Sequence, residues 1–221
     1  KRLLEKNDTG KDALQLLYTS EVKASLRNKI NFSDGTISLK KYDTLKDFSE
    51  FYPMIPYQLD LLQQVFTKIR ENSSAGKHFA SGERNLLGAV QYAALEYAEK
   101  DLGILIPFQT FYGHLDQGLD HSVRATIIKA QSTPTLQSFD VDVLKVLYLI
   151  RYLKSVPSTV ENITTLMLDE LDADRLKLTE NITAALDRLT KEYLVQRTGL
   201  EYLFLTNEEQ DINRDINHMD I

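Results

Sequence analysis

Residues Ser73 to Leu87 read SSAGKHFASGERNLL. Three chemistry-bearing features meet there: a Gly-Lys pair in a small-residue loop, a histidine, and an arginine at the start of a helical pattern. A phosphate-binding loop needs Gly, four residues, then Gly-Lys-Ser/Thr, so that backbone N–H groups cradle the phosphates and the hydroxyl reaches Mg²⁺. Gly76-Lys77 is followed by His78, and Glu71 stands where the first glycine belongs. The stretch before it reads as helix rather than as an apolar strand, so the motif fails. TLMLDE, residues 165–170, ends in Asp-Glu like a Mg²⁺-binding strand. It sits in a helical pattern with no phosphate loop to serve and reads as a helix end.

Arg84 is the most informative side chain. A cation in the first turn of a helix opposes the macrodipole, and local rules are broken most often at functional sites. Free N–H donors plus a guanidinium fork make a phosphate-attracting corner. The plainer reading is a surface arginine paired with Glu83 or a neighbouring carboxylate. His114 and His121 fall seven apart on one expected helix near Asp116 and Asp120. Two turns of separation is too far for one metal ion without outside ligands, so a structural role is the expectation, with no metal and no catalytic residue assigned. His78 and His218 carry no signal. The aromatic stretch YPMIPY, residues 52–57, reads as a core anchor before a helix, with a ligand loop as the alternative.

Those side chains need elements to position them. Apolar residues at 14, 17, 18, 22, 26 and 30 form one stripe at helical period, giving a helix over 12–30. NFSDGT at 31–36 is a turn, and 40–49 is a link or short helix. Pro53 and Pro56 forbid a helix across 52–56, and Pro56 suits the first turn of the helix after it. Ser81 is a plausible N-cap for the Arg84 helix. GILIP reads as a short extended piece or buried connector, followed by one helix from Pro107 to about Ala130. QSTPTLQS, 131–138, has the turn residues of a boundary.

The last third changes character. FDVDVLKVLYLIRYLK is a nearly all-apolar helix. A second helix begins at Ser158 or Thr159, and a third buries Ile182, Ala185, Leu186 and Leu189. LVQRTGLEYLFLT alternates around Thr198-Gly199 as a β-hairpin. Three helices and then a hairpin is the order of a winged helix. The fold class is therefore mainly α: a helical bundle followed by a winged-helix domain. The segments are 1–50 (N-terminal helix and linker), 51–133 (helical domain), 139–207 (winged-helix domain) and 208–221 (polar tail with a weak helical stripe).

The 221 residues carry a net charge of −6 and no cysteine, which excludes disulfides and thiolate zinc sites and agrees with an intracellular home. Apolar runs are too short for a membrane span, and the start lacks a signal-peptide pattern. It also lacks Met, which suggests a piece of a longer chain. Residues 139–221 hold 9 Lys+Arg against 16 Asp+Glu. That balance opposes phosphate-backbone binding. The cations that a DNA-reading or partner-contacting surface would use are Lys177, Arg188 and Lys191 on the third helix and Arg197 in the hairpin. Mixed charge and the absence of an Asn/Gln/Arg cluster favour protein contact over base reading.

FYPMIPYQLDLLQQVF, SGERNLL and LTNEEQDINRDI together resemble the BrxC/PglY-related family of BREX-system P-loop proteins, and FDVDVLKVLYLIRYLK and LMLDELDAD fit as well. The resemblance spans almost the whole chain and is firmest from Tyr52 onward. It implies a bacterial anti-phage ATPase related to AAA+ proteins. Its partners would be a DNA methyltransferase, an alkaline-phosphatase-like protein and small subunits in the cytoplasm. With the phosphate loop absent, this stretch would lie downstream of the ATPase core. It would hold no cofactor itself, with ATP and Mg²⁺ bound in the parent's core, through which the parent would self-associate. The resemblance further implies that 51–133 is an AAA+-type lid with Arg84 as a nucleotide-sensing arginine. It leaves an autonomous DNA-binding winged helix as the alternative function.

Overall fold

The computed structural model describes residues 4–33, 39–72 and 82–219. Among these the fold is mainly helical, with one two-stranded antiparallel sheet. The N-terminal stripe is two helices rather than one, α1 (Asp8–Leu17) and α2 (Ser20–Lys29). The hydroxyl of Thr19 accepts the Val22 N–H at 3.2 Å and starts a new helix. The break is also held from outside: the Tyr18 hydroxyl donates to the Tyr42 carbonyl at 2.9 Å, and its ring stacks on Phe48. A periodic stripe continues across such a break because both helices bury the same side. Residues 34–38 of the expected turn lie outside the described residues.

α3 (Leu45–Phe51) begins in a capping box formed by Thr44 and Asp47. The link after it buries Tyr52, Met54, Ile55 and Tyr57 and contains a cis Tyr52–Pro53 bond. YPMIPY thus anchors the core. α4 (Tyr57–Asn72) follows, and its buried Gln58 bridges two backbones: it accepts the Ile55 N–H at 2.9 Å and donates to the Ile106 carbonyl at 2.6 Å. α5 (Gly82–Glu96) packs on α4.

GILIP is both extended and buried. The Leu105 N–H donates to the Asp169 carbonyl at 2.6 Å, Leu171 N–H to the Gly103 carbonyl at 2.8 Å, and Phe108 N–H to the Leu166 carbonyl at 2.8 Å. Gly103 has φ +106°, a conformation that side chains disfavour. TLMLDE therefore does contain a helix end, at Leu166, but its remainder runs beside 103–106 as an extended segment. The expected helix over 107–130 is broken as well. α6 (Thr110–Leu115) passes into a 3₁₀ turn at Asp116–Gly118, and α7 (His121–Ser132) starts afresh after an extended Leu119. Gly118 in the middle of the stripe is where the helix yields.

α8 (Ser138–Ile150) is the centre of the molecule. The Gln137 N–H donates to the Asp140 carboxylate at its start. It packs against α6, α7, α9 (Val160–Leu166), α10 (Arg175–Lys191) and the second hairpin strand, so side chains are buried all round it. β1 (Val195–Thr198) and β2 (Glu201–Phe204) pair with Val195 opposite Phe204 and Thr198 opposite Glu201. The two-residue turn is Gly199-Leu200, with Gly199 at φ +62°. One apolar cluster runs from Leu4 to Phe204 across the 131–138 segment. The polar tail forms α11 (Asn207–Met219), which packs on α7. Its buried Gln210 donates to Thr126 Oγ1 and to the Leu205 carbonyl, and accepts from Lys129 Nζ at 2.7 Å.

Candidate interaction surface

α10 is held at its N-terminus by two devices. Asp174 caps it, accepting the Lys177 N–H at 3.1 Å. Arg175 reaches back into the core: Nη1 donates to the Lys29 carbonyl at 2.7 Å and to Thr165 Oγ1 at 3.0 Å, while Nη2 reaches the Glu161 carbonyl. The short α9 beneath it is polar yet buried. Asn162 accepts the Ser33 N–H and donates to the Ser33 and Pro157 carbonyls, and so clamps the chain that leaves α2 onto α9. These residues carried no sequence signal. Ser33 and Lys29, which Asn162 and Arg175 bind, lie more than 120 positions away, and a lone Asn in a helix is ordinary.

Helical spacing places Lys177, Arg188 and Lys191 on one face of α10, spread over about 21 Å. They are not equivalent. Arg188 donates from Nε and Nη2 to both carboxylate oxygens of Asp140, at 2.7 and 2.6 Å. Asp140 is fully buried, and the bonds to this carboxylate hold the guanidinium above its already high ordinary pKa. Arg188 is a clamp between α8 and α10. Lys177 and Lys191 are exposed, with Glu180 and Asp187 exposed beside them. On the hairpin, Arg197 Nε donates to the Gly199 carbonyl at 3.2 Å and its guanidinium lies 5.6 Å from the Tyr202 ring centre. Of these four candidate cations, Arg188 is thus committed within the chain, while Arg197 stays exposed on the hairpin.

Arg84 is exposed in the first turn of α5 and holds no ion pair among the described residues. Ser81, Gly76, Lys77 and His78 lie outside the described residues. His114 and His121 sit on different helices, because the stripe between them is broken. His121 opens α7 and is exposed. His114 packs on α5, where burial lowers its pKa against the opposing hydrogen bond to the Asn85 backbone. Among the described residues no group of three or more His, Cys, Asp or Glu converges to hold a metal ion, and no helix is long and apolar enough to cross a membrane.

Arg151 is a further cation that sequence reading missed. It joins α8 to α11 through Glu209, 2.5 Å away, and lies against the Tyr152 and Phe204 rings. Burial opposes ionisation of Glu209, but hydrogen bonds from the Thr206 backbone and from Arg151 outweigh it and hold its pKa below the ordinary value. No protein-family model matches the chain, and no solved structure is significantly similar to it.

Proposed function

We propose that this chain is a helical lid and winged-helix region of a BREX-type defence ATPase, and that its winged unit contacts partner proteins rather than reading DNA. Support for the winged helix is the connectivity of α8, α9, α10 and the hairpin, together with an antiparallel bridge between Thr159, ahead of α9, and Glu201 of β2. That bridge ties the hairpin to the start of α9, as a wing must be tied to act as a unit with the helix beside it. The protein-contact reading is carried by one observation: Arg188 is spent on the buried Asp140, leaving Lys177 and Lys191 among carboxylates on the open face of α10, with Arg197 exposed on the hairpin. These two lysines and Arg197 neutralise about three phosphates, which gives a salt slope of only about −2.7 in log–log form.

Duplex binding titrated with salt tests this. The expected outcome is weak binding with that shallow slope. Tight binding with a slope of about −5 or steeper would establish the autonomous DNA-binding module instead. Arg84 is assigned the nucleotide-sensing role, supported by its exposed position in the first turn of α5, where it holds no ion pair among the described residues. Arg84→Ala in the full-length ATPase should lower ATP turnover and phage restriction together, whereas the isolated chain should turn over no ATP. Unchanged values in both assays would remove that role.

A further inference from the structure

A cleft of about 710 Å³ opens where three stretches far apart in sequence meet: α1–α2, residues 100–104, and residues 170–172. Leu17, Val22, Ile104 and Leu171 give it an apolar lining, and Leu102 stands in it 60% exposed. Four carboxylates, Glu21, Asp101, Glu170 and Asp172, line it against two lysines. One lysine is already committed: Lys29 Nζ donates to the Leu171 carbonyl at 2.9 Å. No side-chain ion pair or hydrogen bond compensates the four carboxylates among the described residues.

The walls are fixed before any ligand arrives. The 103–106 and 169–171 segments are bonded to each other through the Leu105 and Leu171 N–H groups, and Gly103 N–H is bonded to the Tyr52 hydroxyl at 2.8 Å. A preformed wall does not have to be ordered on binding. The volume far exceeds the roughly 30 Å³ share of one water, so the site is sized for side chains and not for a bare ion. Apolar surface ringed by net negative charge is complementary to a basic, amphipathic occupant.

We propose that this cleft seats a basic amphipathic helix of a partner protein. Its apolar face would lie on Leu17, Val22 and Ile104, with Lys or Arg at the flanks meeting Glu21, Asp101, Glu170 and Asp172. The site does not use α10 or the hairpin, so it stands or falls separately from the function proposed above.

The probe is a fluorescein-labelled peptide with leucines at i, i+3, i+4 and i+7 and lysines elsewhere, titrated by anisotropy against the full chain. Binding should weaken about three- to tenfold in the Glu170→Gln/Asp172→Asn double variant. It should weaken again for Leu102→Ser and for a peptide with every leucine replaced by serine. All three positions changed in the protein are exposed, so the variants should melt like the parent. Equal binding by the neutralised variant overturns the proposal, and so does equal binding by the serine peptide, which would reduce the site to bare charge. A chain dimer that dissociates in the double variant would also overturn it, because a second copy would then be the occupant.

Discussion

Arg188 separates two questions that mutagenesis easily confuses. Its side chain is 30% exposed and lies in line with Lys177 and Lys191, so from outside it looks like a contact residue. Its guanidinium nevertheless compensates a carboxylate with no solvent of its own. Arg188→Ala should cost about 3 kcal/mol in a urea titration, because it leaves Asp140 buried and unpaired. Lys177→Ala and Lys191→Ala should each stay within about 0.5 kcal/mol of the parent. Any binding loss in the lysine variants therefore reports on contact, whereas a loss in Arg188→Ala reports first on folding. If Arg188→Ala melts like the parent, the clamp contributes little.

The close approach of α5 and α6 depends on two glycines. A Cβ on Gly88 would come within 2.5 Å of His114 Cε1, and one on Gly113 would run into the Tyr92 hydroxyl. The imidazole is held in place by its bond to the Asn85 backbone, so it cannot swing aside freely. Gly88→Ala gains helix propensity of roughly 1 kcal/mol and loses more to overpacking. A net loss of about 1 kcal/mol is expected by thermal or chemical denaturation. Adding His114→Ala removes the clash, so the double variant should be more stable than the sum of the singles by about 2 kcal/mol. Strict additivity would mean that the helices do not meet at this point. α5 also carries Arg84, and its packing on α6 sets the direction in which the first turn faces.

At the scale of the whole molecule, α8 belongs to everything around it, since α6, α7, α9, α10 and β2 all pack on it. One calorimetric transition is expected, with no separate melting of residues 51–133 and 139–207. Two resolved transitions would show two cores. The pH dependence follows from buried titrating groups. Tyr42, Tyr57 and Tyr148 have pKa values raised by burial, so the stability they contribute is full below the ordinary tyrosine value of 10.0 and is lost as pH rises beyond it. His114 and Glu209 have lowered values, so their contribution is present above 6.5 and 4.5 respectively and declines as pH falls below each. Burial also lowers the Lys6 pKa to about 8, so urea midpoints should be flat only between roughly 6.5 and 8, and should fall below 6.5 and again as the tyrosines titrate above 10. The tyrosinate absorbance of these three buried rings should appear together with alkaline unfolding and not before it.

Periodicity by itself determined α4, α8, α10 and the hairpin. Each is a local pattern: an apolar stripe, an all-apolar run, or alternation around a glycine. It determined equally that Gly76-Lys77 lacks the spacing of a phosphate loop. Only the tertiary structure decided the breaks at Thr19 and Gly118, because the apolar stripe runs through both without a change of phase. The docking of α11 by Gln210, the pairing of 103–106 with 169–171, the burial of Asp140 against Arg188 and the acidic cleft were likewise decided there. Each of these depends on groups brought together from distant parts of the chain. A sequence shows which side chains can bond or repel, whereas the chain's path through space selects which of them meet.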